Sequence, residues 1–203
     1  MIETYSSITP LIAVLLPVAA ALLVLLTGER YRNLRDTWST LTAIIMVVVV
    51  ASMLPNVLDG RVPETTIIEL SPGIDIMLRA DAAGMIFGLL ASSLWVVASV
   101  YAVGYMRAEH ERKQTRFFVA FALSLGAAAG VAFSANLFTF VLFYELLTLC
   151  TFPLVTHRET ESAIVAGRKY LTYTLSGGLM LIGGTAWVHM LGIDGTFVAG
   201  GRW

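Results

Sequence analysis

Glu145 is the residue of this sequence best placed to do chemistry. It sits near the middle of Asn136-Leu-Phe-Thr-Phe-Val-Leu-Phe-Tyr-Glu-Leu-Leu-Thr-Leu-Cys-Thr-Phe-Pro-Leu-Val155, a stretch with no other charged residue. As a helix, that stretch is about long enough to cross a ~30 Å hydrocarbon core. Holding an ionised carboxylate there is expensive: ~2.5–3.5 kcal/mol for the comparable Asp on insertion scales. Such groups face a bundle interior or a wet cavity and mark proton or ion paths. The alternative is a neutral carboxyl that only ties two helices together. On a helix, Val141, Thr148, Leu149 and Phe152 share the face of Glu145. Thr148 is the polar member of that face and the candidate to support the carboxyl. Pro153 frees the carbonyl of Leu149, which either holds water near Glu145 or marks the end of the helix.

Lys169 is the second candidate for proton transfer. It is the only lysine in an apolar setting, since Lys113 lies in a charged loop. It reads either as a proton carrier or as a snorkelling lysine with its head in the interface. If its helix begins as early as Thr160, Lys169 sits more than two turns in and the first reading gains. His157, Arg158 and His189 read as interfacial residues, and Asp81 as an acid at a helix N-terminus.

Composition sets the solvent in which these groups work. The chain has 203 residues, 57% hydrophobic and only 13% charged, with a mean hydropathy of +0.79. A soluble domain carries about 25% charge. This is the composition of an integral membrane protein, and it excludes an ordinary soluble enzyme. A net charge of −1 gives no basic face for nucleic acid. No His/Cys cluster has metal-ligand spacing and no Gly-rich phosphate loop follows a strand, so no cofactor is expected. The one cysteine, Cys150, reads as a small buried core residue.

The elements that must position Glu145 are apolar spans. They run from about Ile8 to Thr27, Trp38 to Leu54, Ala82 to Tyr105, Phe117 to Ser134, Asn136 to Val155, and Ala166 to Met190. The first is too long and too poor in basic flanks for a signal peptide, and its Pro17 is tolerable where a neighbouring helix packs. A break is expected at Pro55-Asn56. Residues 62–80 differ: β-branched segments flank Ser71-Pro72-Gly73, which predicts a short surface hairpin, with a re-entrant segment as the alternative. Gly126-Ala-Ala-Ala-Gly130 predicts close helix packing. The tail from Gly192 to Trp203 reads as an interrupted connection. The fold class is therefore all-α, a polytopic membrane protein of about six transmembrane helices with a short extracytoplasmic hairpin between helices 2 and 3.

Loop charge orients the bundle. The loops after spans one, three and five hold nine basic residues: Arg30, Arg32, Arg35, Arg107, Arg112, Lys113, Arg116, Arg158 and Arg168. The opposite side holds three, Arg61, Arg79 and Arg202. The positive-inside rule then places those loops in the cytoplasm and both termini outside, in the cell membrane of a bacterium (the inner membrane).

Asp81, Tyr105-Met-Arg107, Arg116-Phe-Phe118, Ala135-Asn-Leu137, Phe143-Tyr-Glu-Leu146 and Arg168-Lys-Tyr170 follow one another in an informative order. In that order and spacing the chain resembles the antiporter-like subunits shared by multisubunit Mrp-type cation/proton antiporters and the proton-pumping membrane arm of respiratory complex I. Among these it looks most like the D-type member of the Mrp set. The resemblance implies a proton channel built from inverted helix repeats, with a membrane glutamate paired to a lysine two helices later. Glu145 takes the place of the family glutamate, and Lys169 falls where many members have a lysine in the sixth helix. Members typically have about fourteen helices, so the resemblance implies that residues 1–115 are an accessory N-terminal portion and 116–203 the start of one repeat, truncated. The expectation is a fragment of a longer subunit.

The resulting expectation is a proton-translocating subunit of a monovalent cation/proton antiporter, not itself an enzyme, with other membrane subunits, protons, monovalent cations and the lipid bilayer as partners. Its mechanism is proton hopping between titratable side chains and ordered water. The alternatives are a pumping subunit of an NADH:quinone oxidoreductase, with no redox residues in this chain, and a non-conducting assembly subunit.

Overall fold

The computed structural model of the chain describes residues 3–71, 74–193 and 195–198. Six helices form in the order the apolar runs require: α1 (Thr9–Thr27), α2 (Arg32–Leu58), α3 (Ala82–Ala108), α4 (Gln114–Ala132), α5 (Leu137–Val155) and α6 (Glu161–Met190). The first five are long and apolar enough to cross a membrane by length and composition. The expectation of about six spans meets that measure in five. α6, at 30 residues, is the longest helix but carries more polar residues and falls outside it. Large apolar side chains such as Leu26, Val48 and Met180 stand exposed on the helices; in lipid these are the surfaces without a hydrophobic penalty.

Local chemistry explains the boundaries. Pro10 opens α1, where a missing N–H is harmless. Gly28 closes it with φ +58 while its N–H caps the Val24 carbonyl. Pro17 is buried inside α1, and α4 packs there through Gly126, whose missing side chain leaves room for the Val14 carbonyl and the Pro17 ring. The expected break at Pro55 does not occur: α2 runs on to Leu58, and the Asp59 N–H donates to the Pro55 carbonyl. A proline in the last turn removes one helical hydrogen bond, which ending one turn later tolerates. Asp81 caps α3 by accepting from Gly84 N–H, and Asn136 caps α5 by accepting from Thr139 N–H.

The hairpin belongs to a larger unit. β2 (Arg61–Ser71) and β3 (Ile74–Arg79) pair antiparallel, as expected, while the turn residues 72–73 lie outside the described residues. β1 (Glu3–Ser6) adds a parallel strand on the other edge of β2, giving the order β1-β2-β3. This sheet grips the turn between α4 and α5. Ala135 N–H donates to the Met77 carbonyl, and Asn136 Nδ2 and Thr139 Oγ1 both donate to the Asp75 carbonyl. The start of the tail adds to that grip: Leu137 N–H donates to Gly195 O and Phe197 N–H to Ala135 O. Residues 199–203 of the expected interrupted connection lie outside the described residues.

The opposite end is held by ions. Arg35 lies in the first turns of α2 rather than in a loop, and its side chain is fully buried. It pairs with Glu29 at 2.9 Å and Asp36 at 2.8 Å, donates to Gln114 Oε1, and lies over the Phe118 ring. Asp36 also receives Arg107 from α3. One guanidinium thus joins α2, α4 and the α1–α2 connection. Arg35→Ala would leave the buried Gln114 amide oxygen without its donor and Asp36 with Arg107 alone, while half-exposed Glu29 turns to solvent. Leaving a buried acceptor unsatisfied destabilises by about 1–3 kcal/mol. A clear fall in the melting temperature of detergent-purified protein is expected; an unchanged value would show that the network carries no stability.

Candidate functional site

α5 is positioned on three sides. Its N-terminus is fixed by the sheet, as above. Along its length, the ring of Phe143 seats against Gly130 of α4, where a Cβ would collide with the ring. The Gly126–Gly130 pair therefore serves two contacts, α1 on one side and α5 on the other. At its far end, Arg116 of α4 donates to the His157 carbonyl and pairs with Glu159, which Lys113 also reaches.

α6 packs back against α5 and completes the site. Gly167 receives Phe152 and Thr156, and Gly178 receives Glu145. A Cβ at Gly178 would overlap the Glu145 carboxyl outright. These glycines are eleven residues apart, close to three helical turns, so they define one α6 face. Between them Thr151 Oγ1 and Tyr170 OH are hydrogen-bonded at 2.6 Å. Glu145 Oε1 is buried against Gly178 and has no hydrogen-bond partner among the described residues. An orphaned buried oxygen is rare because its desolvation is uncompensated. An oxygen in this position is satisfied by water or by a counter-ion.

Glu145 also lines a cavity of about 510 Å³ between α5 and α6. The cavity runs from Glu145 past Val141, Ile182 and Thr185 to His189, and ends at Ile74 of β3 and Gly195. His189, read from the sequence as an ordinary interfacial residue, thus shares a cavity with Glu145.

The other expected site residues are placed as follows. Thr148 is buried, on the face expected, but it does not hydrogen-bond Glu145 Oε1. The 30-residue α6 begins at Glu161 with Thr160 as its cap, so Lys169 does sit more than two turns in. It is nevertheless exposed and makes no ion pair among the described residues. Nine residues separate Lys169 from Gly178; at 3.6 residues per turn that is two and a half turns, about 13 Å of rise. Lys169 therefore points away from α5, and the fold does not bring it to Glu145. Pro153 lies in the last turn of α5, which ends two residues later at Val155. Cys150, expected to be buried, is half-exposed. Arg158, largely exposed, pairs with Glu111. His157 rests edge-on against Phe117, and neither ring nitrogen is hydrogen-bonded among the described residues. Burial, reinforced by Arg116, holds it below the usual histidine range.

Gly178 is the residue that sequence reasoning missed. Its signal was the Gly177-Gly178 pair in an apolar helix, but which residue it would face depends on how α5 and α6 register.

Residues 134–198 match the transmembrane family model described as NADH:quinone oxidoreductase/Mrp antiporter. This region contains Glu145, Lys169, Gly178 and His189. The Na(+)/H(+) antiporter subunit A1 of Staphylococcus aureus is 28% identical over 176 residues, which cover 85% of this chain and 22% of the relative. The same protein of strains JH9 and Newman matches at the same identity and coverage. The chain thus spans about a fifth of the length of these curated relatives. Among solved structures, one chain of the membrane-bound sulfane sulfur reductase, an archaeal respiratory membrane complex, superposes with a TM-score of 0.75 at 17% identity. It covers 90% of this chain and 37% of that one, a likeness of fold. The resemblance to antiporter-like membrane subunits therefore holds along most of the chain. The relatives named here are A1 subunits, so they do not favour the likeness to the D-type member.

Proposed function

We propose that this chain contributes to proton translocation in a multisubunit monovalent cation/proton antiporter, with Glu145 as the titrating group. The observation that carries this reading is the buried, unpartnered Glu145 Oε1 held against Gly178 and lining a cavity. A carboxyl held there can pass a proton to a water or cation that reaches it. Lys169 enters this reading as a later carrier, on the α6 face turned away from α5. Thr148 enters as packing beside the carboxyl. In the same reading, residues 1–115 are an accessory helical portion and residues 116–203 the start of a proton-channel repeat. Other membrane subunits complete the path. The Arg-rich loops lie in the cytoplasm, and the sheet and both termini lie outside the cell membrane.

The orientation is tested by cysteine labelling in intact cells. An impermeant thiol reagent should reach Glu64→Cys, in β2, and not Glu109→Cys, at the end of α3. Labelling of the second and not the first inverts the topology.

The family description names a quinone oxidoreductase beside the antiporter, which favours one second reading: a pumping subunit of a redox-driven complex. Vesicles containing the intact complex separate the two. The antiporter reading expects Na⁺ or K⁺ addition to collapse a pH gradient with no electron donor present. Proton movement that requires a reductant and quinone supports the second.

A further inference from the structure

We propose that His157 is the proton-sensitive element of a latch between the α3–α4 loop and the turn from α5 into α6, and that acid on the arginine-rich side opens it. The latch is a set of crossed charges. Glu159 of the turn pairs with Lys113 at 2.5 Å and with Arg116 in the first turn of α4. Arg158 pairs back onto Glu111 of the loop at 3.2 Å. Arg116 also donates to the His157 carbonyl at 2.8 Å. Lys113 and Glu159 are both left-handed, with φ +56 and +53, a conformation that residues with side chains rarely adopt. Such backbone persists only while the contacts around it hold it.

His157 sits inside this set. Its ring stands edge-on to Phe117 of α4, and both ring nitrogens are buried with no hydrogen-bond partner among the described residues. Charged groups face it from each element that meets here: Arg116 from α4, Glu111 from the loop, and Arg158 and Glu159 from its own turn. Arg112 and Lys113 line the same cleft. A neutral imidazole is tolerated in that place. An imidazolium is not: burial opposes it most, and Arg116 adds repulsion. Once the loops part, the ring reaches water and the charged form is solvated. The open latch therefore binds the proton more tightly than the closed one. The closed latch has its full stability above the ordinary histidine value of ~6.5 and loses it as pH falls through the lowered value. The imidazolium also draws on Glu111 and Glu159, in competition with the cations that close the latch. Glu159 itself does not drive the change, because Lys113 and Arg116 hold its carboxyl below the usual range.

Glu145 lies about three turns back along α5 from this latch, so freeing that end of the helix loosens the seat of the carboxyl on Gly178. That consequence rests on Glu145 being the titrating group of transport. The latch itself is tested without transport, so either can fail alone. With Cys150→Ala as background, spin labels are placed at Glu109→Cys and Ser162→Cys, exposed positions on the two sides of the latch. They report the distance between those sides in the full chain in lipid nanodiscs. With the latch residues unaltered, one short distance is expected at pH ~8, and a second, longer one that dominates at pH ~5. The change should begin below pH ~6.5. Glu159→Gln should give the longer distance at every pH. His157→Gln should hold the short distance throughout. His110→Gln, at the exposed histidine of the same loop, should respond to pH like the unaltered latch. His157→Phe, which keeps a ring against Phe117, takes the place of the glutamine variant if that one is already open at pH ~8. A distance that does not change with pH in the unaltered latch overturns the proposal. So does a pH response that survives in the His157 variants, and so does a Glu159→Gln latch that stays closed.

Discussion

Gly178→Leu is expected to abolish proton transport while leaving the chain in the membrane. The glycine is the floor on which the Glu145 carboxyl rests, and even a Cβ there would overlap Oε1. A leucine also fills the start of the cavity. Gly178→Ala is the finer probe. One methyl in a closely packed site forces a shift that costs roughly 1–3 kcal/mol. A misplacement of about 1 Å can lower a rate on the order of 100-fold. The compensating change is Glu145→Asp, which draws the carboxyl back by one carbon. The double variant Gly178→Ala/Glu145→Asp should transport better than Gly178→Ala alone, the non-additivity expected of residues in contact. Proton flux at matched complex abundance reads this out. Additive losses would mean that the two residues do not meet in the working protein.

The fold was readable where it depends on solvent. Apolar runs gave the helices and their order, since a chain in lipid must satisfy its backbone within each segment. Glu145 stood out because a lone carboxyl in twenty uncharged residues is costly unless it is used. What escaped depends on contacts between distant residues. β1 is four mostly polar residues held by backbone pairing with β2, a signal that side-chain patterning does not contain. Arg35 looked like one of several loop arginines. Only the approach of Gln114 and Phe118, some eighty positions later, makes it a buried clamp. Lys169 is the instructive case. Its place deep in a helix was legible, but which face it occupies relative to α5 is set by the Gly167 and Gly178 contacts, and they turn it outward. The same contacts aim Thr185 and His189 along the cavity.

The central claim is that the protonation of Glu145 controls transport. Glu145→Gln preserves size and shape beside Gly178 and removes the titrating proton. The amide matches the carboxyl in size and shape, so assembly should persist while transport is lost. Glu145→Asp keeps the acid with a shorter reach and should retain part of the flux. A carboxyl that only ties helices together gives the reverse ranking: glutamine nearly silent, and aspartate worse through poorer packing. The decisive measurement is cation-dependent proton flux in vesicles containing the intact complex, wild type against Glu145→Gln and Glu145→Asp, normalised to assembled complex. The account predicts background flux for glutamine and intermediate flux for aspartate; wild-type flux in Glu145→Gln contradicts it.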